Sequence, residues 1–180
     1  MKKLLSTAIA SAALVASAGS LAANDGSLGT TSTGDLDISL TISDVVQISK
    51  MTDITLAQNA SGGADGSDTV CVYANGDGNY NLLMAGSGDA NGDALELDGA
   101  ATSVAYSVEF TDGTASTTQT SALVGAANAV SGFNGNATAA DCGGAAATNA
   151  TITVSVSPAD YQAAAVDTYT DTLVLTVAPE

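Results

Sequence analysis

The chain has 180 residues, with only three Lys, no Arg, no His and 19 Asp and Glu. That balance excludes a basic nucleic-acid or anionic-lipid binder, because phosphate surfaces repel such a chain. It also leaves out the usual catalytic bases, oxyanion clamps and activated nucleophiles, so no enzyme and no cofactor are expected. The acidic surplus reads first as a solvated surface that keeps an abundant protein soluble, and only second as a specific cation site.

The first residues have the three zones of a secretory signal: Lys2 and Lys3, an apolar run from Leu4 to about Ala18, and small residues Ser20 and Ala22 at cleavage spacing. Residues 1–22 are therefore expected to be a signal peptide that exports the chain. The apolar run is too short to span a bilayer, and no Cys follows the cleavage position, so no membrane anchor is expected afterwards. The remainder suffices for one domain plus a tail. It keeps one lysine, Lys50, against all 19 carboxylates.

Past that segment, Gly34-Asp35-Leu36-Asp37-Ile38-Ser39-Leu40-Thr41-Ile42-Ser43 alternates strictly, with apolar residues at 36, 38, 40 and 42. The pattern predicts a two-faced strand whose dry side must be buried somewhere. Shorter strands are predicted at Val45–Ile48, Ile54–Leu56, Thr69–Tyr73 and Tyr80–Met84. They are separated by turn-rich stretches at 61–68, 75–79 and 86–93. Strict alternation returns at Val104, Tyr106, Val108 and Phe110, then at Ile152, Val154 and Val156, and finally at Leu173, Leu175 and Val177. Residues 125–150 read as a long Ala/Gly/Asn loop with a ragged edge strand, and 159–165 as a turn or two of helix. Many short strands with such punctuation predict an all-β sandwich or barrel.

Cys71 and Cys142 in an exported chain most simply form one disulfide. It would close a loop of about 70 residues and contribute about 4 kcal/mol in the chain-entropy picture. Asp89-Ala90-Asn91-Gly92-Asp93 begins like a calcium loop, but Ala94 stands where the sharp turn needs Gly and Ala100 where a bidentate Glu belongs, so turn chemistry is preferred. The sequons at Asn59, Asn136 and Asn149 read as chance in a chain with a bacterial-looking leader.

Three pieces in this order carry a resemblance: 33–40 (TGDLDISL), 104–108 (VAYSV) and 169–180 (YTDTLVLTVAPE). With a Cys near the start of the first long strand, they resemble the archaic chaperone-usher pilins and the related spore coat protein U family. The resemblance implies an incomplete immunoglobulin-like β-sandwich, residues 44–180, completed by an N-terminal donor strand, residues 23–43, from a neighbouring subunit. It casts Leu36, Ile38, Leu40 and Ile42 as the donor residues. Gly34, in phase with them, occupies a shallow site or serves simply as a hinge.

Tyr169, Asp171, Leu173, Leu175 and Val177 would form the C-terminal edge strand of the accepting groove. Asp171 shares the inward phase and is expected to be hydrogen-bonded at the strand start rather than turned out by a bulge. The sequence ends three residues after Val177, so no further C-terminal strand is expected. The implied partners are identical or related subunits, a periplasmic chaperone and an outer-membrane usher. The implied role is a surface fimbria serving adhesion and biofilm formation. The alternatives are a self-complemented monomeric secreted sandwich that acts as a binding module and a calcium-stabilised adhesin domain.

Overall fold

The computed structural model describes residues 23–87, 95–120 and 129–180. The signal segment, the calcium-like run at 89–93 and the first part of the 125–150 loop lie outside the described residues. The chain divides into two units, Met1–Ile42 and Ser43–Glu180.

In the first unit, Asn24 and Asp35 exchange two backbone hydrogen bonds of 2.9 and 3.0 Å. A Cβ at Gly34 would come within 2.9 Å of the Asn24 carbonyl oxygen, so this narrow loop needs glycine there. Residues 36–42 belong to no strand and have no ladder partner among the described residues. Leu36, Ile38, Leu40 and Ile42 are 67 to 89% exposed. The side chains of the dry face that alternation predicts are therefore exposed.

The second unit contains β1 (Val46–Ser49), β2 (Ala57–Gln58), β3 (Ala64–Ala74), β4 (Asn79–Ala85), β5 (Glu96–Asp98), β6 (Ser103–Ala105), β7 (Ser107–Thr111), β8 (Ser116–Thr120), β9 (Val130–Asn134), β10 (Ala150–Val156), a short helix α1 (Pro158–Ala163) and β11 (Val174–Pro179). One antiparallel sheet runs in the order β1-β3-β10-β7-β8, with β2 also on β3. A second runs β11-β4-β9, and β5-β6 form a separate hairpin. The fold is all-β and antiparallel.

The inward residues of both sheets share one core, the layering of an immunoglobulin-like sandwich. Period two explains how. Tyr80, Leu82 and Met84 of β4 are fully buried, and so are Ile152 and Val154 of β10, while their sequence neighbours face outward. Phe133 of β9 stacks on Tyr80 at 5.6 Å and meets Phe110 of β7 edge-on at 5.2 Å, linking the two sheets.

Some boundaries differ from the sequence expectation. The alternating run at 104–110 is broken at Tyr106, where the chain passes from the β5-β6 hairpin to the large sheet. β3 begins at Ala64, inside a stretch read as turn, because the pairing of 64–70 with β10 recruits small and polar residues into the ladder. Ile54–Leu56 is not a strand, whereas β5 and β8, poor in apolar residues, are strands the period does not reveal.

Cys71 of β3 and Cys142 form the disulfide, closing a separation of 71 residues, for which the chain-entropy picture gives about 4 kcal/mol. The three sequon asparagines all have hydrogen-bonding roles, local for Asn59 and Asn136 and long-range for Asn149. The Asn149 carboxamide accepts from Val72 N at 2.8 Å and donates to Val72 O at 2.9 Å, taking the place of a backbone partner. The Asn59 carbonyl accepts from Ser61 and Gly63, and the Asn136 carbonyl from Thr138 and Ala139.

Candidate functional site

The core is not closed all round. A groove with mixed apolar and polar lining opens in the second unit between residues 51–56 on one side and 169–175 on the other. One section, of about 370 Å³, has Ile152, Val154 and Tyr106 on its floor and Leu173 and Leu175 on its wall. An adjoining section of about 770 Å³ runs on past Leu97, Val104 and Val156 towards Tyr161 and Tyr169. Ile54, Leu56, Leu97, Leu173, Leu175 and Val177 pack against the core yet stay only half-buried.

The margins of the groove follow from strand order. Among the described residues β11 pairs with β4 on one side and is an edge of its sheet, while β1 is an edge of the other. These edges approach each other. Beyond Ser49, Lys50 adopts φ of 65°, which turns the chain out of β1 and into the groove lip. The lip is held by Asp68, which accepts from Thr52 N at 2.7 Å and Thr52 Oγ1 at 2.8 Å. Gly66 lies beneath it, and a Cβ there would come within 2.7 Å of Thr55 O and 2.8 Å of Ile54 Cγ2.

The opposite wall is strapped to the β5-β6 hairpin. Asp98 and Thr170 exchange backbone hydrogen bonds of 2.8 and 3.0 Å, and Asp167 Oδ2 accepts from Ala100 N at 2.7 Å. That bond and one from Thr168 N hold the Asp167 carboxyl below the ordinary carboxylate range. The Tyr169 ring covers the hairpin turn so closely that a Cβ on Gly99 would lie 2.5 Å from it.

Asp171, in the phase of Leu173, is the polar centre of this wall and is hydrogen-bonded at the approach to β11. Its Oδ1 accepts from Ser87 N at 2.9 Å, Ser87 Oγ at 2.5 Å and Thr172 N at 2.6 Å, and its Oδ2 from Tyr106 Oη at 2.6 Å. Burial, and then the hydrogen bond and charge of Asp171, push the Tyr106 hydroxyl far above its ordinary value. The pair ties the start of β11 to the end of β4 and to the β6-β7 junction.

The expected C-terminal residues Tyr169, Asp171, Leu173, Leu175 and Val177 therefore lie together along one wall or its continuation into β11. Gly34, Leu36, Ile38, Leu40 and Ile42 lie in the first unit. Sequence reasoning passed over Leu97, Lys50 and Asn75. Asn75 Oδ1 accepts from Val45 N at 2.8 Å, its Nδ2 donates to Ser43 O at 2.8 Å, and its own N–H donates to Val45 O at 3.1 Å. These bonds fix residues 43–45 where the chain enters β1. Only the turn-like 75–79 run hinted at this residue.

No protein-family model and no curated protein sequence matches the chain. Among solved structures, a chaperone–tip adhesin complex studied for CFA/I fimbriae biogenesis aligns with a TM-score of 0.38 at 14% identity, over 75% of this chain. The chain spans 41% of that structure's length. Among the described residues, no helix is long and apolar enough to cross a membrane.

Proposed function

We propose that the chain is a non-enzymatic structural pilin subunit, exported through the periplasm, that polymerises by donor-strand exchange into a surface fimbria for adhesion and biofilm formation. Residues 23–43 of one subunit, after removal of 1–22, complete the 44–180 domain of the next. A periplasmic chaperone holds the groove before assembly at an outer-membrane usher. The observation that carries this reading is that one chain holds both an exposed period-two apolar run, Leu36 to Ile42, and an open groove of mixed lining beside the edge strand β11.

An added strand satisfies the free main-chain edge while its alternate side chains fill the core. Burying Leu36, Ile38, Leu40 and Ile42 contributes about 6 to 12 kcal/mol before ordering costs, enough to rival a domain's net stability. Gly34 continues the same phase. Ile38→Asp places a charge in the middle of the buried face. It is expected to leave chaperone-bound monomer and abolish polymers in electron micrographs and by sedimentation. Filaments of normal length from this variant would sink the proposal.

A further inference from the structure

In residues 4–180 Lys50 is the only lysine and there is no arginine. Its ammonium is not left in solvent. Nζ donates to the carbonyl oxygens of Asp141, Gly144 and Ala147, each at 2.6 Å. This uses all three donors of the group. The three acceptors belong to the loop that Cys142 fastens to Cys71, and Cys71 stands opposite Ser49 in the β1-β3 ladder. The disulfide, the carbonyl cage and the Lys50–Met51 peptide bond thus form one cluster.

We infer that Lys50–Met51 is a redox-gated cleavage point for lysine-specific serine proteases, closed while the Cys71–Cys142 disulfide holds the carbonyl cage around the Lys50 ammonium. Such proteases bind the lysine ammonium in a pocket with an acid at its base and require the flanking chain to be extended. Here the ammonium is already held, and Lys50 is in the left-handed region. The residues on either side, Ser49 and Thr52, are fixed by the β1-β3 ladder and by Asp68. Cleavage therefore has to wait for local opening, and its rate follows the population of the open form.

Reduction by a dithiol moves two electrons to the disulfide, leaving two thiols and a cyclic oxidised reductant, and frees the loop that carries the acceptors. Hydrolysis then adds the hydroxyl of water to the Lys50 carbonyl carbon and a proton to the Met51 nitrogen. The products are the segment that ends at Lys50 and residues 51–180, so β1 and the chain before it are no longer covalently joined to residues 51–180. The inference holds whether or not the chain polymerises.

The test compares trypsin digestion of the full chain in three forms: oxidised, reduced with dithiothreitol and alkylated, and oxidised Lys50→Arg. The fragment beginning at Met51 is followed by mass spectrometry. The reduced form is expected to be cut about tenfold or more faster than the oxidised form. Oxidised Lys50→Arg should also be cut faster, because a planar guanidinium stays recognisable to trypsin but cannot place donors as an ammonium does in this cage. Equal rates in the oxidised and reduced forms would overturn the inference, as would Lys50→Arg cut no faster than the native chain. Chymotrypsin run in parallel reports on the core aromatics Tyr80 and Phe110. If their cleavage rises on reduction by the same factor as the Lys50 cut, the protection is global and the cage explanation fails.

Discussion

At the scale of single residues, the polar side chains matter most where they replace main-chain partners or close a wall. Tyr106 and Asp171, at 2.6 Å, form a hydrogen bond to a charged acceptor at the groove wall. Tyr106→Phe should therefore cost about 1.5 to 3 kcal/mol in urea unfolding. Asp112 makes the β7-β8 turn. Its Oδ1 accepts from Thr114 N and Ala115 N, and its Oδ2 from Asn134 N at 2.6 Å.

Partial burial works to raise the Asp112 carboxyl, but these hydrogen bonds outweigh it and hold the carboxyl below its ordinary value of 3.8. Asp68 at the groove lip is depressed by the same balance. A depressed folded pKa means that stability from these groups is fully present above the unfolded value. It is lost as pH falls through the folded one. Melting temperature should thus hold down to about pH 4 and decline below it, with a shallower decline in Asp112→Asn.

Among elements, the groove depends on how segments outside the ladders are propped. Gly66 of β3 lets residues 54–56 lie close over the sheet. Gly66→Ala should push that lip outward and lower stability by about 1 to 3 kcal/mol, read by denaturant unfolding. Asn75 acts at the other end of β1 by supplying a carboxamide where a further ladder partner would be. Asn75→Ala is expected to strip exchange protection from the Val45 amide while leaving that of Val72, which is bonded to Asn149, unchanged.

For the whole molecule, the sandwich has an open seam at β11 and a disulfide that pins the long loop. A full chain carrying Ile38→Asp keeps its accepting groove but loses its proposed donor. An added peptide of residues 34–42 should raise its melting temperature, by the amount that mass action gives for a ligand that binds only the folded state. A peptide of the same composition with its apolar residues moved by one position should not, since a one-residue slip turns every side chain to the wrong face.

The all-β class and the alternating runs at 104–110, 152–156 and 173–177 were legible in the sequence, whereas 36–42, the strictest alternation, belongs to no strand. Period two is a local property that survives without knowledge of neighbours, as in 150–156 and 173–177. The side chains that donate to Asp171, those of Tyr106 and Ser87, come from positions 65 and 84 residues earlier in the chain, and the acceptors for Lys50 from positions 91 to 97 residues later. No local pattern marks such pairs. The sequence by itself determined that Leu36, Ile38, Leu40 and Ile42 alternate with polar residues, so that they would share one face wherever this segment is extended. Only the tertiary structure decided that these four side chains stand exposed and that the second unit carries a groove beside the start of β11. Burial is a property of what packs against a residue, and here the packing depends on which strands end as edges.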